Sequence, residues 1–255
     1  MTHATNGSFV WFELLSIDPT KSIEFYTRIV GWKTQPFNAD YTMWVGSQGP
    51  VGGTMRLPEQ ASKMGAPPHW TSHVQVVSVD ATAAEAKKNG GVVHVEPSDI
   101  PNVGRFAVIA DPQGASICII KPQQAMDAHD VTKPGEITWS ELVTTDHESA
   151  FVFYSKLLGW KKSRDFDMGP MGKYTIFNAG GRDLGGMFTK SKDMAVAPSW
   201  LYYLEVTSLA GAIDAAKAHG ARLVNGPTEV PGGAHIAQLI DPQGAAFALH
   251  EIKKT

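Results

Sequence analysis

Short stretches of alternating apolar and polar residues run along this chain, interrupted by longer stretches with helical spacing. Phe9 to Leu15 is rich in aromatic and branched residues, which is typical of a strand. Asp18-Pro19 then offers an N-cap followed by proline at the first helical position, and Gly31 stands where a helix usually ends. The apolar residues between them recur at helical spacing, which predicts a helix. They are Ile23, Tyr26, Ile29 and Val30.

The same pattern predicts a second module after a loop-like segment from Leu57 to Pro68. A helix is expected from Asp80 to about Asn89, and the sequence Asp111-Pro112-Gln113-Gly114 is typical of a tight type I turn between two strands. The strands predicted in the first half after its first helix are 41–45, 51–56, 71–77, 92–95, 103–110 and 116–120. Helices near Asp146 to Leu158 and Ser208 to His219 are expected in the second half.

The second half repeats the first. Trp11, Glu13, Leu14, Asp18, Phe25, Tyr26, Gly31 and Trp32 recur as Trp139, Glu141, Leu142, Asp146, Phe153, Tyr154, Gly159 and Trp160. The turn sequence Asp-Pro-Gln-Gly-Ala at 111–115 recurs at 241–245. So many ordered matches indicate a duplication, with each half built from two βαβββ modules. The boundary is expected in the polar segment from Lys121 to Pro134.

Charge and composition narrow the classes of function. The formal net charge is −3, with 22 Lys and Arg against 25 Asp and Glu, and no basic cluster suited to nucleic acid stands out. A single cysteine, Cys118, excludes an intrachain disulfide and favours a reducing cytoplasm. Neither a signal peptide nor a membrane span is predicted. We therefore expect a soluble, cytoplasmic protein that binds neither nucleic acid nor a membrane.

The repeated motifs resemble those of the vicinal oxygen chelate superfamily, the group of glyoxalase I, bleomycin-resistance proteins and extradiol dioxygenases. The opening of each half, IDPTKSIEFYTRIVGW and TDHESAFVFYSKLLGW, is similar to the opening of a module in that family. The resemblance implies an α+β fold in which four βαβββ modules form two paired-module, glyoxalase-like domains with U-shaped mixed sheets. The expected domains are 1–122 and 135–255, joined by a linker at 123–134.

In metal-dependent members, the resemblance implies His, Gln or Glu ligands on first strands and Glu on final strands. The matching first-strand positions here are Trp11 and Trp139, and the matching final-strand positions are Cys118 and Ala248. Tryptophan and alanine are not metal ligands. We therefore expect no cofactor and loss of the family metal. The alternative is a divalent metal at a rearranged site, formed by Glu13 with His73 or by Glu141 with Glu205 and His250.

Polar residues nevertheless fall on the strands that would line the two clefts. Residues two apart on a strand share a face, so Glu13 accompanies Trp11, and Glu141 accompanies Trp139. The candidate catalytic residues are Glu13, His73, Glu141 and Tyr203, as carboxylate bases or their electrophilic partners. The candidate ligand-binding residues are Trp11, Gln75, Trp44, Arg105, Trp139, Glu205 and His250.

Purely structural roles are the alternative for these residues. Glu13 and Glu141 also suit structural hydrogen bonds, His73 suits a packed histidine, and Cys118 suits a small buried apolar residue. Tyr41 and Tyr174 suit either stacking on a planar ligand or core packing.

Three functions follow from the pattern. The first is a binding protein for a small aromatic or carbonyl-containing molecule, as in the bleomycin-resistance branch. The second is a lyase, isomerase or dioxygenase-type enzyme with a metal-free or rearranged site. The third is a structural protein with vestigial clefts. Four modules in one chain are enough for a monomer, and a homodimer stays open.

Overall fold

Residues 3–252, the part of the chain that the structure describes, form sixteen strands and five α-helices in this computed structural model. The strands of the first half are β1 Phe9–Ser16, β2 Lys33–Pro36, β3 Tyr41–Gly46, β4 Gly49–Arg56, β5 His69–Gln75, β6 Val92–Ile100, β7 Gly104–Ala110 and β8 Ser116–Pro122. Those of the second half are β9 Ile137–Thr144, β10 Lys161–Asp167, β11 Lys173–Ala179, β12 Arg182–Thr189, β13 Ser199–Glu205, β14 Arg222–Glu229, β15 His235–Ile240 and β16 Ala246–Glu251.

The helices are α1 Pro19–Val30, α2 Glu59–Lys63, α3 Val79–Lys88, α4 His147–Leu158 and α5 Leu209–Ala218, with a 3-10 turn at Gly169–Met171. Helices α1 and α4 begin and end at the predicted signals. Asp18 accepts a hydrogen bond from the Lys21 backbone N–H, and Asp146 accepts one from Ser149. Gly31 and Gly159 follow α1 and α4 with φ of 79° and 75°, the left-handed conformation that favours glycine at this point.

The strands form two eight-stranded sheets with the same order. The first sheet is β2-β3-β4-β1-β5-β8-β7-β6, and the second is β10-β11-β12-β9-β13-β16-β15-β14. β1 and β4 are parallel, as are β5 and β8, whereas the outer pairs are antiparallel. The expected α+β class, the four βαβββ modules and the mixed sheets are confirmed.

The sequence pattern missed two edge strands and a short helix. β2 and β10 carry almost only exposed residues, with the sequences KTQP and KKSRDFD. An edge strand is hydrogen-bonded to one neighbouring strand only, and its side chains can all lie in solvent. Its sequence then lacks the alternation of apolar and polar residues by which a strand is predicted. The short helix α2 lies in the segment expected to be a loop, and it buries none of its residues.

By proximity of residues, the chain divides into two compact units. Unit 1 contains the described residues of 1–10, 71–128 and 139–200, and unit 2 contains those of 11–70, 129–138 and 201–255. Each unit thus combines one βαβββ module from each half of the chain. The predicted domains 1–122 and 135–255 stay a prediction.

A buried chain of hydrogen bonds explains why the Phe-Tyr and Asp-Pro-Gln-Gly motifs recur together. In unit 2, the Trp70 indole N–H donates to the Tyr26 hydroxyl at 2.9 Å, and that hydroxyl donates to Asp241 at 3.0 Å. The other carboxylate oxygen of Asp241 accepts two backbone N–H groups of its own turn. Burial raises the pKa of Asp241 above its usual range, and burial beside this carboxylate raises the pKa of Tyr26.

Unit 1 contains the same chain of bonds. Trp200 donates to Tyr154 at 3.3 Å, and Tyr154 donates to Asp111 at 3.2 Å, while burial raises the pKa of Asp111. Aromatic rings pack around each tyrosine and fill the core of its unit. The rings around Tyr26 are Phe25, Trp32, Trp44, Trp70 and Phe247, and those around Tyr154 are Phe153, Trp160 and Trp200. Within the described residues, no helix is long and apolar enough to span a membrane.

Candidate functional site

In unit 2, a hydrogen bond joins two half-buried aromatic side chains, Trp11 of β1 and Tyr41 of β3. The indole N–H of Trp11 donates to the Tyr41 hydroxyl at 2.7 Å. Glu13 is half-buried and points to the same side of β1 as Trp11, because side chains alternate along a strand. Both residues keep partial solvent exposure.

Unit 1 contains the corresponding aromatic pair, together with a carboxylate bonded to its tyrosine. The indole N–H of Trp139 donates to the Tyr174 hydroxyl at 2.8 Å, and that hydroxyl donates to Oε2 of Glu141 at 3.0 Å. Glu141 is 8% exposed, whereas both aromatic residues are half-buried. We call Trp139, Tyr174 and Glu141 the Trp139 group, and Trp11 with Tyr41 the Trp11 pair.

Two glycines make room for the tyrosine rings. A β-carbon at Gly53 of β4 would lie 2.3 Å from a ring carbon of Tyr41, and one at Gly186 of β12 would lie 2.0 Å from a ring carbon of Tyr174. Each ring therefore lies directly on the backbone of the neighbouring strand. The sequence reasoning missed both glycines. The available signal was the glycine pair repeated inside two strands, at 52–53 and 185–186, since strand glycines often mark a close approach.

In unit 2, Tyr203 and Gln238 are bonded to each other across Ala248. Both residues are register partners of Ala248, from the strands on either side of it. The side-chain amide of Gln238 donates to the Tyr203 hydroxyl at 2.9 Å. Tyr203 is 3% exposed, so its hydroxyl lies in a mostly dry environment.

Two residues further along β13 and β16, Glu205 and His250 form a second pair. They are register partners on β13 and β16, and Oε2 of Glu205 lies 2.5 Å from Nδ1 of His250. Oε1 of Glu205 accepts the backbone N–H of Ile252 at 3.0 Å. The structure thus brings together two residues that the sequence pattern placed on separate strands.

His73 and Gln75, the candidates on β5, lie in unit 1. His73 is 5% exposed and is the register partner of Cys118, which is also buried. The Cys118 thiol lies 3.7 Å from the Thr71 hydroxyl. The side-chain amide of Gln75 donates to the backbone oxygen of Ala4, so this end of the side chain holds the N-terminal segment.

The remaining candidates lie in other surroundings. Arg105 donates to both oxygens of Asp80, at 2.7 and 2.8 Å, and to Asp99 at 3.1 Å. These bonds raise the pKa of Arg105 above its usual range and lower that of Asp80. A ligand carboxylate at Arg105 would have to compete with both aspartates. Trp44 is fully buried in the aromatic core of unit 2, and His235, the counterpart of Arg105, is exposed at the start of β15.

The residues at the family's metal positions do not fit a divalent metal. The indole nitrogens of Trp11 and Trp139 are hydrogen-bond donors without a lone pair to share, and both donate to tyrosine. The side chain of Ala248 has no atom that could bind a metal, and Cys118 is the register partner of His73. Among residues 3–252, no group of three or more His, Cys, Asp and Glu side chains is arranged to hold a metal ion. Loss of the family metal stays a prediction, and no chemical step is derived through a metal.

Relatives of known sequence match nearly the whole chain. "Putative glyoxylase CFP32" of Mycobacterium tuberculosis is 28% identical over 248 residues, covering 95% of this chain and 94% of its own. "Anthracycline biosynthesis protein DauV" of a Streptomyces species (strain C5) is 29% identical over 270 residues, covering 100% of this chain and 96% of its own.

Solved structures share the fold at lower identity. The Mn(II)-bound glyoxalase from Novosphingobium aromaticivorans superimposes with a TM-score of 0.64 at 16% identity, covering 98% of this chain and 83% of its own. A family model described as the Glyoxalase/Bleomycin resistance protein/Dioxygenase superfamily matches residues 8–119 and 136–249. Because these two ranges include most of the chain and coincide with its two halves, the chain belongs to the Glyoxalase/Bleomycin resistance protein/Dioxygenase superfamily.

Proposed function

We propose that this protein binds a small, flat, aromatic or carbonyl-containing molecule on its sheet faces, without the family metal, as a binding protein of the bleomycin-resistance type. The Trp139 group carries the proposal. Half-buried tryptophan and tyrosine rings, fixed by hydrogen bonds to each other, form a rigid aromatic surface that loses little entropy when a ligand stacks on it.

The polar atoms of the group suit an oriented ligand. The Tyr174 hydroxyl and the carboxylate of Glu141 lie at the edge of the aromatic surface, where they can hydrogen-bond a hydroxyl of the ligand. Small-molecule sites typically combine apolar walls with a few such polar groups. The relative named for anthracycline biosynthesis supports a small-molecule role for this architecture.

A second candidate function is proton-transfer catalysis, and the Tyr174–Glu141 contact favours it. A carboxylate that is 8% exposed and hydrogen-bonded to a phenol is an arrangement that can move a proton to or from a bound molecule. Glu141 would be the base and Tyr174 the group that restores the proton.

Isothermal titration with anthraquinone-2-sulfonate, a water-soluble flat carbonyl compound, tests the binding function. We expect saturable binding that Trp139→Leu weakens about tenfold, since one lost stacking contact of about 1.4 kcal/mol changes a dissociation constant by that factor. Trp11→Leu is the matched variant for the other half of the chain. Val152→Ser is the control. This residue of α4 is 52% exposed, and its replacement should leave binding unchanged.

Incubation in D₂O with α-tetralone, a small aromatic ketone with acidic hydrogens next to its carbonyl, separates the two candidates, because anthraquinone-2-sulfonate has no hydrogen that a base could remove. No catalysed exchange of those hydrogens for deuterium supports binding alone, whereas exchange that slows in Glu141→Gln supports catalysis. Equal affinity of wild-type protein, Trp139→Leu and Trp11→Leu would contradict both sites.

A further inference from the structure

We propose that Glu205 and His250 form a proton-transfer dyad, in which Glu205 orients the imidazole so that Nε2 exchanges a proton with a small molecule carrying an acidic hydrogen. The proposal does not depend on the Trp139 group, because it rests on different residues and on different measurements.

The geometry of the pair sets the tautomer of the imidazole. Nδ1 of His250 faces a carboxylate oxygen of Glu205 at 2.5 Å, and a carboxylate only accepts hydrogen bonds. The proton of the neutral imidazole therefore lies on Nδ1, and the lone pair lies on Nε2. The side chain of Glu205 is 5% exposed and that of His250 is 14% exposed, so the orienting carboxylate is buried while the imidazole keeps contact with solvent.

The carboxylate is itself held in place. Its second oxygen, Oε1, accepts the backbone N–H of Ile252 at 3.0 Å, and Glu205 ends strand β13. Both oxygens are thus engaged, which fixes the plane of the carboxylate and with it the direction of the imidazole.

The other half of the chain shows that the fold does not require this pair. The equivalent register partners on β5 and β8 are Gln75 and Ile120. The backbone contact at the position is the same in both halves, because Gly135 donates to the Glu205 backbone oxygen at 2.8 Å and Gly7 donates to that of Gln75 at 2.8 Å. Backbone hydrogen bonds therefore maintain the fold at this position in both halves. The two ionisable side chains occur only in the second half.

Neighbouring residues give the dyad a polar border. Tyr203 lies two residues before Glu205 and on the same face of β13, and the Tyr203–Gln238 hydrogen bond crosses Ala248, two residues before His250. A phenol and an amide beside an imidazole suit a ligand with polar groups, such as a hydroxyl or a carbonyl. The chemical class is a small molecule with an acidic hydrogen, on oxygen or on carbon next to a carbonyl.

The proton-transfer step balances without another reactant. The Nε2 lone pair takes the hydrogen as a proton, and the electron pair of the broken O–H or C–H bond stays on the ligand as an anion. In the imidazolium that forms, the proton stays on Nδ1 and remains hydrogen-bonded to Glu205. The negative charge of this carboxylate offsets the new positive charge. Return of the proton from Nε2 to the ligand, at the same or another atom, restores the dyad.

Two measurements that need no substrate test the dyad. Long-range ¹H–¹⁵N correlation of the wild-type protein reports the tautomer of His250 directly. The rate at which diethyl pyrocarbonate modifies His250, followed by peptide mass, reports the Nε2 lone pair. In that reaction Nε2 attacks a carbonyl carbon, and the bond from this carbon to the bridging oxygen breaks. The released ethyl carbonate takes up the proton that the acylated imidazole loses from Nδ1, and it yields ethanol and carbon dioxide.

Variants taken from the first half of the chain are the matched controls. Glu205→Gln and His250→Ile reproduce the residues of the equivalent pair, Gln75 and Ile120. In Glu205→Gln the amide oxygen can still accept from Ile252, while the amide N–H₂ would face Nδ1 and move the proton to Nε2. We expect Nδ1–H in wild-type protein, Nε2–H in Glu205→Gln, and modification of His250 at least fivefold slower in that variant. The exposed His235 should react equally in both proteins.

Either of two results would overturn the dyad. An Nε2–H tautomer in wild-type protein would do so even if the variants failed to fold. So would equal rates at position 250 in wild-type protein and Glu205→Gln, which would leave Glu205 only as an anchor for the backbone at Ile252. None of these results bears on binding of anthraquinone-2-sulfonate, so the two proposals fail separately.

Discussion

The ring of Tyr174 lies so close to the backbone of Gly186 that a β-carbon at position 186 would come within 2.0 Å of a ring carbon. Tyr41 and Gly53 repeat the relationship in the other half, at 2.3 Å. The glycine therefore sets the place of the tyrosine hydroxyl, and through it the hydrogen bonds to Trp139 and Glu141.

Replacing Gly186 by alanine should displace the Tyr174 ring and break its bond to Glu141. We expect a loss of about 1–3 kcal/mol in the free energy of unfolding, the usual cost of overpacking, together with weaker binding of anthraquinone-2-sulfonate. Urea denaturation measures the first effect. Gly211→Ala is the control: it lies in helix α5, where the new β-carbon meets nothing closer than 3.4 Å, and it should stabilise by about 0.5–1 kcal/mol. Equal effects of the two substitutions would contradict the steric explanation.

The carboxylates on the first strand of each half can be compared directly. Glu141→Gln should abolish or strongly weaken binding of alizarin red S, a hydroxylated analogue of anthraquinone-2-sulfonate whose hydroxyl can donate to the carboxylate. The melting temperature should change little, since glutamine can still accept from Tyr174. Glu13→Gln makes the same test for the Trp11 pair. Calorimetric titration of both variants is the measurement. Unchanged binding in both would remove the carboxylates from the function.

The two buried Trp–Tyr–Asp chains should respond unequally to loss of the tyrosine hydroxyl. Tyr26→Phe leaves the Trp70 N–H and the Asp241 carboxylate without their partner, which costs about 1–3 kcal/mol. Tyr154→Phe breaks longer bonds, at 3.3 and 3.2 Å against 2.9 and 3.0 Å, and should cost less. Urea unfolding of the two variants gives the order, and a larger loss in Tyr154→Phe would contradict it.

A pH dependence is expected from His147, the first residue of α4. Burial lowers the pKa of its imidazole below the ordinary 6.5, and Nδ1 lies 2.8 Å from the Thr189 hydroxyl. Between the lowered pKa and 6.5 the unfolded chain binds a proton that the folded chain does not. The stability contributed by this residue is therefore fully present above about pH 6.5 and is lost as the pH falls towards the lowered value.

The difference between wild-type protein and His147→Gln isolates that contribution. The buried aspartates Asp111 and Asp241, whose pKa values are raised, titrate in the opposite sense in both proteins, and their effect cancels in the difference. The free energy of unfolding should decrease more between pH 8 and pH 5 in wild-type protein than in His147→Gln. A parallel dependence would show that His147 does not titrate as its burial requires.

Metal content tests the expected loss of the family metal. After loading with Mn, Fe, Ni and Zn followed by dialysis, elemental mass spectrometry should find far less than one metal ion per chain, because Trp11, Trp139 and Ala248 provide no ligand atom. Near-stoichiometric retention of one metal would overturn this expectation and move the protein towards metal-dependent chemistry.

Much of the fold could be predicted from the sequence because its signals are local. The caps at Asp18 and Gly31 and the turn at Asp111 depend on neighbours within four residues, so residue type alone reveals them. The repeat then extends each assignment to the other half. The edge strand β2 escaped prediction because it carries no apolar pattern.

The candidate site depended on contacts that a sequence does not contain. Alternation placed Trp11 with Glu13 on one face of a strand, but it could not reveal that Trp44 would be buried in a core or that Arg105 would be paired with two aspartates. The chain by itself determined which residues share a face, because that follows from the geometry of a single strand. Only the tertiary structure decided that Glu205 meets His250, 45 residues away, because the pairing of β13 with β16 sets which side chains of two separate strands become neighbours.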